Sequence, residues 1–282
     1  MSISHFIPTI WSVNLLQALD QHYVGVANCA REYEGEIKEM GSVVKIPGLT
    51  SIDIKDYTPN QNMDEPQDLY NFARELVINR AKYFHFQVDD VDRAQANPRV
   101  MDFAMKLAAD NLAKEADKYV YMLGEQAGVK MEATDVTESN VMEHVLKARE
   151  HLYKNGVLDS KDVVLEVSPA IATALIKAKI DLSTNNQELL ENGCIGSIAG
   201  CKVFVSNNIA TGWEGESEYF DCFMRTKRAI AFAEQVSEIV AYCPEKRFAD
   251  AIKGLHLYGA SVVYPDELVC LRLYLPEIPF EG

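Results

Sequence analysis

The feature that most restricts the fold of this chain is a β-rich segment at residues 43–91. Residues 43–47 begin it as a short apolar strand. A polar run at residues 58–66, which contains two prolines, separates this strand from a return run in which Phe84 and Phe86 alternate with polar residues. Alternation with a period of two is typical of a half-buried strand, so the segment is predicted to form an up-and-back β ribbon.

A ribbon of two strands with few apolar residues is only marginally stable by itself in water. It needs cover, either from its own domain or from another subunit. The length of this ribbon and the prolines near its middle make self-burial the harder option, so the sequence favours contact with a neighbouring copy. The residues predicted to make that contact are Lys55, Tyr57, Met63, Glu65, Phe84 and Phe86.

The longest helix is predicted between Pro98 and Gly124. Asn97 and Pro98 supply an N-cap and a first-turn proline, and Gly124 ends the periodic pattern. A helix of this length spans about 40 Å and would be a rigid support for other elements. Its predicted buried face consists of Val100, Phe103, Ala104, Leu107, Ala108, Leu112, Tyr119, Val120 and Leu123.

The rest of the chain mixes helices and strands, so the predicted fold class is α+β. An apolar segment at residues 6–11 precedes a helix that begins at about Ser12. Further helices are predicted from about Asn140 to Gly156 and from Ser168–Pro169 onward, where a strand at 163–167 ends. The remaining predicted strands are 195–198, 202–206, 219–224, and an antiparallel pair formed by 255–264 and 267–274.

Composition excludes several classes of protein. The 42 Asp and Glu residues outnumber the 27 Lys and Arg residues, and the formal net charge of −15 repels phosphate, which argues against a nucleic-acid-binding face. No apolar stretch reaches the roughly 18–20 residues that a membrane helix needs, and no signal peptide is visible, so we expect a protein made in the cytosol. The six cysteines are scattered singly, which predicts buried free thiols.

No motif for catalysis, cofactor binding or metal binding stands out. The glycine-rich run at 192–202 lacks Walker spacing and leads into a strand, so its glycines are predicted to turn a strand-loop-strand connection. Ser197 is not in a nucleophile elbow, and His144 and His151 are seven residues apart, which is the wrong spacing for a helical metal site. The acidic pair Asp89–Asp90 is interpreted as charge at a helix N-terminus. The sequence therefore predicts a protein that is not an enzyme.

Three stretches carry a resemblance to a known family. They are the run from Asn192 to Ile209 (NGCIGSIAGCKVFVSNNI), the strand-to-helix step from Val163 to Ala170 (VVLEVSPA), and the C-terminal run from Phe248 to Pro265 (FADAIKGLHLYGASVVYP). Together with the ribbon and the long helix, they resemble the major capsid proteins of tailed bacteriophages, whose fold is shared with encapsulin shells. The resemblance covers most of the chain from about residue 40 to 275.

This resemblance implies a division of the chain. Residues 1–42 would be an N-terminal arm, 43–91 the extended loop that overlies a neighbour, and 92–134 the spine helix of a peripheral domain. Residues 135–234 would form the axial domain, and 235–282 would return to the peripheral domain and end the chain.

The resemblance also implies function and partners. The protein would assemble with itself into hexamers and pentamers of an icosahedral head shell that encloses phage DNA without sequence-specific binding. Scaffolding, portal and decoration proteins would be further partners, and the place of assembly would be the host cytoplasm, with the virion as the final location. Two alternatives stay open: an encapsulin-like nanocompartment, and a cytosolic α+β enzyme whose site has no recognisable motif.

Overall fold

A computed structural model describes residues 15, 17–32, 40–49, 54, 56, 71–89, 100–159, 162–178, 194–215, 217–245 and 249–276. Its helices are α1 (Val100–Tyr121), α2 (Val141–Lys154) and α3 (Pro169–Lys177), with a further helical run at residues 17–22. Its strands are β1 (Val43–Leu49), β2 (Asn71–Val77), β3 (Arg80–Asp89), β4 (Val129–Ala133), β5 (Val163–Val167), β6 (Cys194–Ile198), β7 (Cys201–Val205), β8 (Thr211–Glu214), β9 (Ser217–Thr226), β10 (Ile230–Tyr242), β11 (Ala249–Val262) and β12 (Leu268–Tyr274).

Within these residues the strands form three sheets. β1 and β2 make an antiparallel ribbon, and β10, β11 and β3 make an antiparallel sheet in that order. The largest sheet has the order β4-β12-β9-β5-β7-β6, with β8 paired to β9, and it is mixed because β4 runs parallel to β12 and β5 parallel to β7. The predicted α+β class is confirmed.

The long predicted helix is present as α1, which packs against the three-stranded sheet. The buried positions on its inner face are Met105, Ala109, Leu112, Ala113, Ala116 and Val120. Two residues of the predicted buried face are instead exposed, Phe103 at 69% and Leu107 at 51%. The three inner alanines explain the difference, because small side chains let the helix lie close to the sheet and leave its larger apolar residues on the flank.

A second core lies between the seven-stranded sheet and helices α2 and α3. Strand β5 is buried along its whole length, as expected for a central strand covered on both faces. The predicted start of α3 is confirmed: Ser168 is the N-cap, its hydroxyl accepts a hydrogen bond from the Ile171 amide at 3.3 Å, and Pro169 occupies the first turn.

Two predicted strand pairings are wrong. β1 pairs with β2, whereas the run that contains Phe84 and Phe86 belongs to β3 and pairs with β11. The sequence of β2 has no alternation with a period of two, so periodicity did not reveal it as a strand.

The second wrong pairing concerns the end of the chain. β11 and β12 do not pair with each other, because a short 3-10 helix at Pro265–Glu267 carries the chain from one sheet to the other. The carbonyl of Pro265 accepts a hydrogen bond from Gly128, and the Glu267 carboxylate accepts hydrogen bonds from Thr226 and Arg228. Strand β12 therefore lies in the same sheet as β5 and β9.

Candidate assembly surfaces

The root of the β1–β2 ribbon is buried against its own chain. Val44, Ile46, Leu76 and Ile78 form a core cluster with residues of β10 and β11. The Arg74 guanidinium also donates a hydrogen bond to the carbonyl of Val262 at 2.9 Å. This part of the ribbon is thus covered by its own subunit, the option that the sequence made the harder one, because the alternate side chains of both strands share one apolar face.

A glycine allows this close approach. A Cβ atom at Gly259 would lie 2.3 Å from the carbonyl oxygen of Val77, a separation that no side chain tolerates. The backbone at the end of β2 thus rests directly on β11, which fixes the direction in which the ribbon leaves the body.

The other face of the ribbon is not covered by the described residues. Val43 and Val77, which are directly opposite each other, are partly exposed, and Ile54 beyond them is 96% exposed. The predicted contact residues Lys55, Tyr57, Met63 and Glu65 lie outside the described residues, so their role stays a prediction.

A groove runs between strand β3 and helix α1. We call it the β3–α1 groove; its volume is about 570 Å³, and its lining includes Phe84, Phe86, Ala104, Leu107 and Asn111. The rings of Phe84 and Phe86 stack with centroids 6.0 Å apart, and both pack against the first core. These two predicted contact residues therefore lie partly buried in the floor of an open apolar groove.

A buried ion pair joins the N-terminal segment to the large sheet. Arg225 on β9 and Glu166 on β5 are fully buried, with two N–H···O hydrogen bonds of 2.9 and 3.0 Å between them. Arg225 also donates to the carbonyls of Gly25 and Asn28, and the Asn28 amide donates to Glu166. We call Arg225, Glu166, Gly25 and Asn28 the N-terminal clasp. The two charged side chains hold the N-terminal segment on the sheet, and Arg225 supplies hydrogen bonds to its buried carbonyl groups.

Helix α1 contributes a second attachment for the same segment. The Asp117 carboxylate accepts hydrogen bonds from the amides of Val24 and Val26, at 3.1 and 2.9 Å. Burial, partly opposed by these hydrogen bonds, raises the pKa of Asp117 to about 6. The carboxylate therefore bridges the long helix and the N-terminal segment.

Further along the segment, the side chain of Glu234 on β10 has three polar partners. Its buried carboxylate accepts hydrogen bonds from the hydroxyl of Tyr23, from Arg31 at 2.7 Å, and lies 2.7 Å from Nε2 of His256. Neither this cluster nor the clasp was found from the sequence. The available signal was a charged residue inside an apolar strand, as with Glu166 in VVLEV, but the partner cannot be read from spacing because 59 residues separate Glu166 from Arg225.

The motifs with a chemical interpretation are placed as follows. The glycine-rich run forms the antiparallel hairpin β6–β7 with Ala199 and Gly200 at its turn, as predicted. Cys29, Cys201, Cys222 and Cys270 are buried free thiols, but Cys243 is exposed, contrary to expectation. In the described part of the chain, no three His, Cys, Asp or Glu side chains are grouped to hold a metal ion, and no helix is long and apolar enough to cross a membrane.

The fold matches that of solved capsid structures over nearly the whole chain. A structure from Mycobacterium phage Che8 is 25% identical with a TM-score of 0.68, and the match covers 88% of this chain and 90% of that one. The capsid of Ralstonia phage GP4 is 10% identical with a TM-score of 0.69, covering 94% and 92%. A virus-like particle from Pyrococcus furiosus is 12% identical with a TM-score of 0.59, covering 94% and 99%.

No protein-family model matches the sequence, and no curated protein matches it. The structural comparison establishes the class: this chain has the capsid fold of tailed bacteriophages, which the three sequence stretches predicted. The matched structures include the capsids of cyanophage P-SCSP1u, bacteriophage PhiM1 and Ralstonia phage GP4.

Proposed function

We propose that this protein is a major capsid protein that assembles with itself into the icosahedral head shell of a tailed phage. The observation that carries the proposal is the fold match, which extends over about nine-tenths of both chains for the Che8 structure. A match of this extent concerns the fold of most of the chain and not a short segment of it.

The surface of the subunit supports an assembling protein. The β3–α1 groove and the outer face of the ribbon are apolar surfaces that no described residue covers, and exposed apolar area of this kind marks sites of association. In a shell, the ribbon of one subunit would lie against the body of its neighbour, with Lys55, Tyr57, Met63, Glu65, Phe84 and Phe86 as the proposed contacts. Hexamers and pentamers would repeat this contact around the shell.

The shell would enclose DNA without binding its sequence. A formal charge of −15 per subunit repels phosphate, so packaged DNA would not adhere to the wall. Scaffolding, portal and decoration proteins are proposed partners, the host cytoplasm is the proposed place of assembly, and the domain division at residues 43, 92, 135 and 235 is part of the same proposal. No residue of the chain is assigned a catalytic role.

A second candidate function is an encapsulin-like nanocompartment, which the match to the Pyrococcus furiosus particle favours. The contents of the particles distinguish the two. Electron microscopy of particles purified from their native source should show a tailed head that holds DNA if the protein is a phage capsid subunit. Tailless particles that hold a cargo enzyme would support the nanocompartment, and a protein that stays monomeric under all conditions would contradict both.

A variant in the groove tests the proposed contact. Leu107→Asp places a charge in the β3–α1 groove, where it would have to be desolvated against a neighbour, and we expect particle yield to fall at least tenfold. The free subunit should fold normally because Leu107 is half exposed. The control is Leu158→Asp, an equally apolar and more exposed site outside the groove. Wild-type assembly of the Leu107→Asp variant would contradict the role of the groove.

A further inference from the structure

Arg149 on helix α2 is a buried cation that has no counter-ion among the described residues. Its side chain is 1% exposed, and in the described part of the chain its Nε, Nη1 and Nη2 atoms have no hydrogen-bond partner. A guanidinium is a planar cation with five N–H donors and no acceptor. A buried, unpaired charge is strongly destabilising, and each such group therefore requires an explanation.

The helix offers no carboxylate to Arg149. Glu143 and Glu150 are on the exposed side, where Lys147 and Lys154 pair with them at 2.7 Å. The residues one helical turn from Arg149 are Val145, Leu146, Leu152 and Tyr153, none of which is acidic.

The thiol of Cys201 on β7, which the charge of Arg149 influences, does not supply a negative charge either. Burial raises the pKa of the Cys201 thiol, and the charge of Arg149 only partly opposes this. The thiol consequently stays neutral at physiological pH and leaves the guanidinium uncompensated.

One face of the guanidinium is covered by a side chain that reaches the surface. The ring centroid of Tyr153 lies 4.1 Å from Cζ of Arg149, and Tyr153 is 45% exposed. A cation–π contact compensates only a small part of the desolvation cost. The Tyr153 ring therefore contacts the buried guanidinium on one side and solvent on the other.

We propose that the guanidinium of Arg149 is an oxyanion-binding site, which takes up a phosphate or carboxylate group when the Tyr153 ring moves aside. The planar fork of N–H donors matches two oxygens of such a group, and all of these donors are unused. The oxyanion has two conceivable sources: free phosphate in solution, or a carboxylate of a neighbouring copy. The second source rests on the proposed capsid function.

The first test uses unassembled subunits and inorganic phosphate at constant ionic strength. Phosphate at ten times its dissociation constant should raise the ratio of folded to unfolded wild-type protein about tenfold, measured by denaturant unfolding. Arg149→Met should show no such response and should be more stable than wild type when phosphate is absent, because it removes an unpaired buried charge. Lys147→Met removes one charge from the same helix and controls for general salt effects.

Two further variants separate binding from folding. Arg149→Lys keeps the charge without the fork, so it should retain a weaker phosphate response. Tyr153→Ala removes the ring that covers the guanidinium, so it should lower the phosphate concentration that gives half of the maximal stabilisation. This measurement does not depend on whether Arg149→Met folds.

The second test uses assembled particles and identifies the source of the oxyanion that binds Arg149. If a neighbouring carboxylate is the ligand, free subunits show no phosphate response, and Arg149→Met lowers the thermal stability of particles but not of subunits. A phosphate response in free subunits identifies the free anion and also stands if the protein forms no shell. The proposal is overturned if wild type and Arg149→Met respond equally to phosphate and form particles of equal stability.

Discussion

Arg225 is the residue on which the attachment of the N-terminal segment depends most. Its guanidinium is fully buried and satisfies Glu166 together with the carbonyls of Gly25 and Asn28. Removing one member of a buried ion pair leaves the other charge without compensation, which typically costs about 3–5 kcal/mol. The two charges of the clasp therefore depend on each other, and removal of one leaves the other without its partner.

We expect Arg225→Met to lower the free energy of unfolding by about 3–5 kcal/mol, because the buried carboxyl group of Glu166 then loses its ion-pair partner. Urea unfolding of the free subunit measures this. The control is Arg272→Met, which breaks the partly exposed pair with Asp221 and should cost only about 1 kcal/mol. Equal losses for the two variants would show that burial of the clasp is not the decisive factor.

Asp117 makes stability depend on pH in a direction opposite to that of a typical surface carboxylate. Its pKa in the folded protein is raised to about 6 from the ordinary value of 3.8, so the folded state binds its proton more readily than the unfolded state. The stabilisation from protonation is complete below about pH 4 and is lost as the pH rises through about 6. Its size is up to about 3 kcal/mol.

We therefore expect wild type to gain stability relative to Asp117→Asn as the pH falls from 7 to 4. Other carboxylates, such as Glu115 with its lowered pKa, act in both proteins and cancel in the difference. Urea unfolding of both proteins at several pH values gives the comparison. A stability difference that does not change with pH would show that Asp117 titrates normally.

At the scale of elements, the β6–β7 hairpin illustrates how a local pattern fixes a structure. Its turn residues Ala199 and Gly200 both have positive φ angles, 50° and 79°, as a two-residue type I′ turn requires. Glycine adopts this conformation freely, but alanine is strained in it. The glycine-rich pattern predicted the turn correctly because the constraint is confined to adjacent residues.

We expect Ala199→Asn to raise the free energy of unfolding by about 0.5–1 kcal/mol, because asparagine tolerates the left-handed region. Ala199→Val should have the opposite effect, since a β-branched residue is disfavoured at positive φ. The melting temperatures of wild type, Ala199→Asn and Ala199→Val, measured by thermal unfolding, test both expectations. An unchanged or lowered melting temperature for Ala199→Asn would contradict the strained turn.

Strand pairing was the element-level property that the sequence did not reveal. The alternation in residues 84–88 indicated a strand correctly, but its partner β11 lies more than 150 residues away. Alternation specifies which side chains share a face and does not specify which strand completes the hydrogen bonds. The same limitation explains why β12 was paired with β11 instead of β9.

At the scale of the whole molecule, the root of the ribbon contributes to folding, and the part beyond it is proposed to contribute to assembly. Its root is part of the subunit core, whereas residues 50–70 connect two strands that end opposite each other at Leu49 and Asn71. A two-residue turn can join strands in this register. The ribbon can therefore be shortened without disturbing the root.

Replacing residues 50–70 with Asn-Gly should give a subunit that folds with a melting temperature close to that of wild type but forms no closed shells. Circular dichroism measures the first property and negative-stain microscopy the second. A control that replaces residues 50–70 with a Gly/Ser linker of the same length should assemble equally poorly if the contact residues matter. Closed shells from the shortened variant would show that this part of the ribbon is dispensable for assembly.

The sequence by itself determined the class of fold, the long helix, the capped start of α3 and the β6–β7 turn. These depend on periodicity, capping and glycine placement, all of which act between residues a few positions apart. Tertiary structure decided the strand order, the burial of the ribbon root, the exposed flank of α1 and the N-terminal clasp. Each of these joins residues far apart in the chain, and which distant groups meet is set by the packing of whole elements, not by any local pattern.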